Sequence, residues 1–198
     1  MMKKLLLLII ILVCSITISV TMGSCLKDLF DEKLPKATRT GANTFGCKID
    51  GKSWIPDGTH DLFVSIPALS ASIYQWQGTK YFHLSARKDP SALKKKDETY
   101  DDLYFDITLP ATAGEIIIDK TCNNCGLYCP YNSIRFTIKS LPYGECYITD
   151  SFHPGKIHFT RIDTLNRIVS GTFEFKAIDK NTGKTINVTD GRFDVRTR

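Results

Sequence analysis

The chain has 198 residues and a formal net charge of +5, with 24 % charged and 42 % hydrophobic residues. That length suits one domain, and the charge is spread along the chain instead of gathered into a basic face, which argues against a nucleic-acid partner. The one basic run, Lys94-Lys95-Lys96, is followed at once by Asp97 and Glu98, and no Walker A, dinucleotide, HExxH or GxSxG pattern occurs.

Lys3 and Lys4 open the chain as a short basic region. Leu5 to Val13 is unbroken apolar sequence, and Cys14 to Thr21 continues it with small and β-branched residues. Gly23 and Ser24 supply the small side chains that a signal peptidase requires, completing a secretory layout. The stretch Met22-Gly23-Ser24-Cys25 resembles the bacterial lipobox. That resemblance implies cleavage before Cys25, a diacylglycerol on its sulfur, and an outer-membrane lipoprotein that meets the membrane through its acyl chains. Each buried CH₂ contributes about 0.8 kcal/mol, so two or three chains hold permanently. An uncleaved membrane helix is the alternative. Ser15, Thr17, Ser19 and Thr21 weaken it, and no basic cluster follows.

Removing residues 1–24 leaves 174 residues with 24 basic and 21 acidic side chains. Residues 25–43 contain few bulky side chains after Phe30, with Pro35, Thr38, Thr40 and Gly41 breaking any pattern. They read as the lipidated N-terminus and a flexible tether. Residues 44–198 then form the domain, where the period is two. Phe45, Cys47 and Ile49 alternate with polar residues, and Asp50-Gly51 offers a type I′ turn. Leu62, Val64 and Ile66 follow. Ala71 to Gln77 and Lys80 to Arg87 flank Gly78-Thr79, which suits a type II′ turn. Leu103, Phe105, Ile107 and Leu109 give the cleanest alternation, after which come Ile116 to Ile118, then Ile134, Phe136 and Ile138, then Ile157 and Phe159. Phe173, Phe175 and Ala177, then Ile186 and Val188, then Phe193 and Val195, close the chain. Turns are expected at Pro142-Tyr143-Gly144, Pro154-Gly155, Asn181-Thr182-Gly183 and Asp190-Gly191. Pro90 to Lys96 is the one place for a helical turn. About ten short strands with one apolar face each predict an all-β, antiparallel β-sandwich or barrel-like domain after the cleaved signal peptide. No helical crossovers are present to support a parallel sheet.

Thr44-Phe45-Gly46-Cys47-Lys48-Ile49-Asp50-Gly51-Lys52-Ser53-Trp54 resembles the opening strand of a family of uncharacterised Bacteroidota-type lipoproteins. Arg167 to Phe175 and Thr189 to Val195 resemble the same family's end. The two ends cover roughly a quarter of the mature chain. The family is a domain of unknown function, so the resemblance implies a fold and an address and no mechanism.

Besides Cys14 and the anchor Cys25, five cysteines remain. Cys122-Asn123-Asn124-Cys125 with Cys129 forms a close cluster that could take zinc, with Cys146 or His153 as fourth ligand. Structural zinc sites usually pair two such knuckles, and an extracytoplasmic compartment favours disulfides. Cys122, Cys125, Cys129 and Cys146 are therefore the disulfide candidates. Cys47 is the odd one out, on the apolar face between Phe45 and Ile49. No metal and no cofactor is expected.

His60, His83, His153 and His158 show no ligand-spaced pairing with carboxylates apart from His60-Asp61, whose side chains would point apart in a strand. No catalytic residue is assigned. One constellation remains. With Gly78-Thr79 as the turn, Trp76 lies opposite Tyr81, Tyr74 opposite His83, and Ile73 opposite Leu84. Tyr74, Trp76, Tyr81 and His83 then share one face, and Ile73, Phe82 and Leu84 the other. Flat aromatics with polar handles suit the apolar faces of sugars. The sequence thus favours a non-catalytic binding or accessory module with a glycan or protein ligand. The alternative is a small extracytoplasmic hydrolase or metal-binding protein.

Overall fold

In the computed structural model, residues 32–60, 65–89, 100–121, 131–138 and 144–198 are described. The chain divides into two units, Met1–Lys33 and Leu34–Arg198, and the second carries every strand below. The expected signal sequence, Cys25, Pro90 to Lys96, Pro142-Tyr143 and the stretch with Cys122, Cys125 and Cys129 lie outside the described residues.

Period-two sequence becomes strand throughout. The strands are β1 (Thr44–Ile49), β2 (Lys52–Trp54), β3 (Thr59–His60), β4 (Ser65–Ile66), β5 (Leu69–Trp76), β6 (Thr79–Lys88) and β7 (Asp101–Thr108). They continue as β8 (Gly114–Ile118), β9 (Ser133–Ile138), β10 (Glu145–Ile148), β11 (Gly155–Asp163), β12 (Ile168–Ile178) and β13 (Thr185–Arg196). Eleven of them form one sheet in the order β2-β1-β13-β12-β10-β9-β7-β6-β5, with β11 on β12 and β8 on β11. Every paired strand runs antiparallel, and β3 pairs with β4 alone. The domain is all-β and antiparallel, as the alternation requires, and its sheet takes the barrel-like form, a curled half barrel.

Curling brings distant strands together. Phe45 (β1), Phe173 (β12) and Phe193 (β13) belong to one end of the sheet order, Phe82 (β6) and Phe105 (β7) to the other. Their rings meet inside, Phe105 against Phe173 at 4.9 Å and Phe82 against Phe193 at 5.8 Å. Trp54 packs edge-on against Phe136 at 5.7 Å. Leu103, Phe105, Ile107, Ile134, Ile157 and Phe159 are all fully buried. Each aromatic removes a large apolar area from water, and the mix of edge-to-face and stacked pairs adds to that.

The turns divide into those read correctly and those corrected. Asp50 and Gly51 both have positive φ, 49° and 79°, and close β1 onto β2 as a two-residue turn. Asn181-Thr182-Gly183 also turns. Asp179 holds it, accepting from the N–H of Asn181 at 3.0 Å and the hydroxyl of Thr182 at 2.8 Å. Pro154-Gly155 differs: Gly155 opens β11 against Phe175. Asp190-Gly191 is no turn either. It lies within the continuous strand β13 as a bulge, with Asp190 at φ 54° and its carboxylate 2.9 Å from Lys48. One extra residue there exchanges the inward positions from Ile186 and Val188 to Phe193 and Val195. A turn and a bulge interrupt the alternation in the same way.

Within the stretch expected as a tether, Thr38 to Ala42 wrap the carboxylate of Asp194 on β13. It accepts from the Thr38 hydroxyl (2.6 Å) and from the N–H groups of Thr40 (2.9 Å), Gly41 (2.7 Å) and Ala42 (3.1 Å). Ser170 Oγ donates to it from β12 at 2.7 Å.

Candidate functional site: an aromatic and polar face on β5, β6, β7 and β9

The hairpin expected around Gly78-Thr79 turns one residue earlier. Gln77 and Gly78 both take positive φ, 47° and 83°, so glycine fills the second turn position and Trp76 pairs with Thr79. Tyr74 accordingly lies opposite Tyr81, Ser72 opposite His83 and Ile73 opposite Phe82, in place of the expected partners. Moving a two-residue turn by one position shifts the register by two and leaves side-chain facing unchanged. The faces therefore stand as read. Phe82, Leu84 and Ala71 point inward and are buried, while Tyr74, Trp76, Tyr81 and His83 share the outer face.

On that face Tyr74 is 42 % and Trp76 57 % exposed, whereas Tyr81 is buried. Tyr81 is sandwiched between Tyr74 at 5.3 Å and Tyr131 at 3.8 Å, which closes it to solvent although it shares the outer face. Burial, with a 3.4 Å contact from its hydroxyl to that of Tyr131, raises the Tyr74 phenol above its ordinary range. It stays neutral, a donor and an acceptor at once.

The next row across the sheet is Ser72, His83, Asp106 and Ser133, on four neighbouring strands. His83 Nδ1 lies 2.8 Å from Asp106 Oδ1. Beyond it, Arg87 grips Asp102 through two nitrogens, at 2.7 and 2.8 Å, and Tyr104 donates to the same carboxylate at 3.0 Å. The Asp102 bond holds the Arg87 guanidinium above its ordinary range, and burial raises the Tyr104 phenol. Arg87 also lies over Tyr100 and Arg135 over Tyr104, at 4.0 and 4.4 Å. Asp102 and Arg135 are buried, so this end of the face is a fixed network. The accessible end is Tyr74, Trp76 and the half-exposed His83–Asp106 pair. Rings there can cover an apolar ligand surface, and His83 and Asp106 can hydrogen-bond hydroxyls at its rim.

Sequence reading alone missed Tyr131 and Asp106. Each reaches its partner across strands whose register no local pattern reveals, although both sit at polar-face positions of their segments. The remaining histidines stand apart. His153 Nδ1 lies 2.9 Å from Asp150, whose carboxylate also takes the N–H groups of Phe152 and His153, an arrangement that shapes the loop. His158 is exposed on β11 and lines a groove of about 370 Å³ with Lys156, Phe173, Glu174, Asp190 and Arg192. Cys47 is a free and fully buried thiol, pushed up to about 12 by that burial. Cys146 is disulfide-bonded and sits with Ile148 in a small buried cluster apart from the main core. Among the described residues no group of three His, Cys, Asp or Glu side chains could hold a metal ion.

Fold and face together define a curled antiparallel domain that offers an aromatic platform on the outside of its sheet. Residues 99–195, from just before β7 almost to the end of β13, match the model of a domain of unknown function, DUF6252. The closing stretch from Arg167 to Val195 falls within that match and the opening strand does not. No curated protein and no solved structure matches the chain.

Proposed function

We propose that the chain is a lipid-anchored protein of the outer membrane whose β domain is a non-catalytic binding module, taking a glycan or protein ligand on the Tyr74–Trp76 face. Met22-Gly23-Ser24-Cys25 supports the address. One observation supports the module above all: Trp76 and Tyr74 stay exposed at 57 % and 42 % beside rings that are buried. Large aromatics held open on a rigid sheet suit a ligand better than a core. In the same reading Cys146 pairs with a cysteine of the Cys122–Cys129 cluster, as an oxidising compartment favours.

The test is a glycan and peptide array probed with the detergent-purified chain. Trp76→Ala is expected to lose the bound signal at unchanged melting temperature, and Leu84→Ala, which empties a fully buried site, to cost about 2–5 kcal/mol of stability. Unfolding by Trp76→Ala, or an unchanged array, overturns the reading. A small hydrolase is the second reading, favoured by the row Ser72–His83–Asp106, in which a carboxylate orients a histidine next to a hydroxyl. Ester hydrolysis that disappears in Ser72→Ala would replace the first reading with the second.

A further inference from the structure

β5 is an edge strand with β6 as its one neighbour among the described strands. Backbone groups along an antiparallel strand turn alternately to the neighbour and to the open side. The N–H of Arg87 on β6 donates to the carbonyl of Ala68 at 2.9 Å, while the N–H of Arg198 donates to that of Ala71 from the other side at 3.0 Å. Counting onward, Ser72, Tyr74 and Trp76 turn their backbone groups to β6. Ile73 and Gln75 turn theirs to the open edge. The strand, Leu69-Ser70-Ala71-Ser72-Ile73-Tyr74-Gln75-Trp76, carries no charge and no proline, and its register with β6 has no bulge. Those are the devices by which edges usually discourage pairing.

We propose that this edge pairs with the same edge of a second copy of the chain, antiparallel, with the two-fold axis at Tyr74. In that register Ile73 meets the second copy's Gln75, and Gln75 its Ile73, so every outward N–H and C=O of these residues finds a partner. Tyr74 meets Tyr74 in a non-hydrogen-bonded pair, with Cα atoms about 4.5 Å apart. The stack Tyr131–Tyr81–Tyr74 then continues into its symmetry mate. No charge lies within the paired segment, and the backbones of the two Lys80 residues are about 16 Å apart from strand spacing and rise, beyond a Debye length of about 8 Å. The cation closest to the seam is Arg198, whose N–H reaches Ala71. At Ala71 the edge is already taken by Arg198, and there the second copy's Gln77-Gly78 turn bends away onto its own β6. A foreign extended peptide could use the same two residues but would not extend the tyrosine stack. The hydrogen bonds of the pairing lie in the plane of the sheet, while its Tyr74–Tyr74 contact covers the open side of that ring on the binding face.

The experiment is cysteine cross-linking in the full chain. A Cα spacing near 4.5 Å lies within disulfide range. Tyr74→Cys is expected to give a disulfide-linked dimer on mild oxidation, and Thr79→Cys, on the far strand of the same hairpin, to give none. Adding Gln75→Pro should abolish the cross-link. It removes one outward N–H and no β5–β6 bond, a position that tolerates proline, and an unchanged circular dichroism melt shows that the fold survives. The unmodified chain in detergent should sediment at twice its own mass. A monomeric mass at every concentration, a Tyr74→Cys adduct with a different protein, or equal cross-linking through Thr79→Cys overturns the proposal.

Discussion

A carboxylate as buried as Asp194, 1 % exposed, keeps its charge only because donors surround it. Burial alone would raise its pKa. The Thr38 and Ser170 hydroxyls and the N–H groups of Ala42 and Thr40 outweigh that and hold it well below the usual carboxylate range. Because the folded pKa lies below the unfolded value, the group contributes stability that is fully present at neutral pH. That contribution fades as pH falls below about 4, the unfolded aspartate value. Asp194→Asn removes the charge and turns an amide donor toward other donors, and is expected to cost about 3 kcal/mol at pH 7. Urea melts at pH 7 and between pH 4 and pH 2 check this. The variant should lose stability less steeply with acid than the parent, and equal slopes would show that Asp194 is not the titrating group.

At the scale of elements, β13 shows how a strand is bent without being ended. Its bulge at Asp190 lets one strand serve both halves of the curl. Gly191 beside it lies so close to Phe173 that a Cβ there would meet that residue's ring and carbonyl oxygen at 2.5 Å. Backbone oxygen cannot yield as a flexible side chain can. Gly191→Ala should therefore destabilise by about 1–3 kcal/mol, the usual cost of overpacking, whereas Gly183→Ala has open space around it and strains only a turn φ of 72°. Thermal melts of the two variants test the contrast, and equal losses would remove the packing argument. The same strand marks what the sequence could tell. Alternation in β7, β9, β11 and β12 specified strands and inward residues directly, because one face of each carries the apolar core side chains. Asp190-Gly191 was misread because a shift of parity is all that the sequence records there. The β5–β6 hairpin kept its facing despite a turn displaced by one residue. Tyr74 and Trp76 could be seen as an aromatic pair from their i, i+2 spacing. Tyr131 and Asp106 could not, since their places depend on pairing between segments far apart in the chain.

For the whole molecule, the segment that Asp194 fastens also sets how the domain would hang from a membrane. A force applied through an anchor at Cys25 would first reach the fold at Pro35, whose carbonyl accepts from Arg192, and next at the Asp194 carboxylate on β13, which lies between β1 and β12. Nine residues separate Cys25 from Pro35. Fully extended they reach about 35 Å, counting each step at roughly 3.5 Å. The anchoring proposal rests on Gly23 and Ser24 before a cysteine, at the end of an apolar stretch that begins with two lysines. Cys25→Ser takes away the sulfur that would carry the diacylglycerol and leaves every described contact of the β domain intact. The variant should no longer incorporate a palmitate analogue, and should accumulate as the longer, unprocessed chain on a denaturing gel. Its domain should keep the parent's melting temperature when released by protease in the region before Thr38. Normal labelling of the Cys25→Ser chain would place the lipid on another residue and overturn the anchor at Cys25. The tether would then join the domain to an uncleaved apolar segment instead.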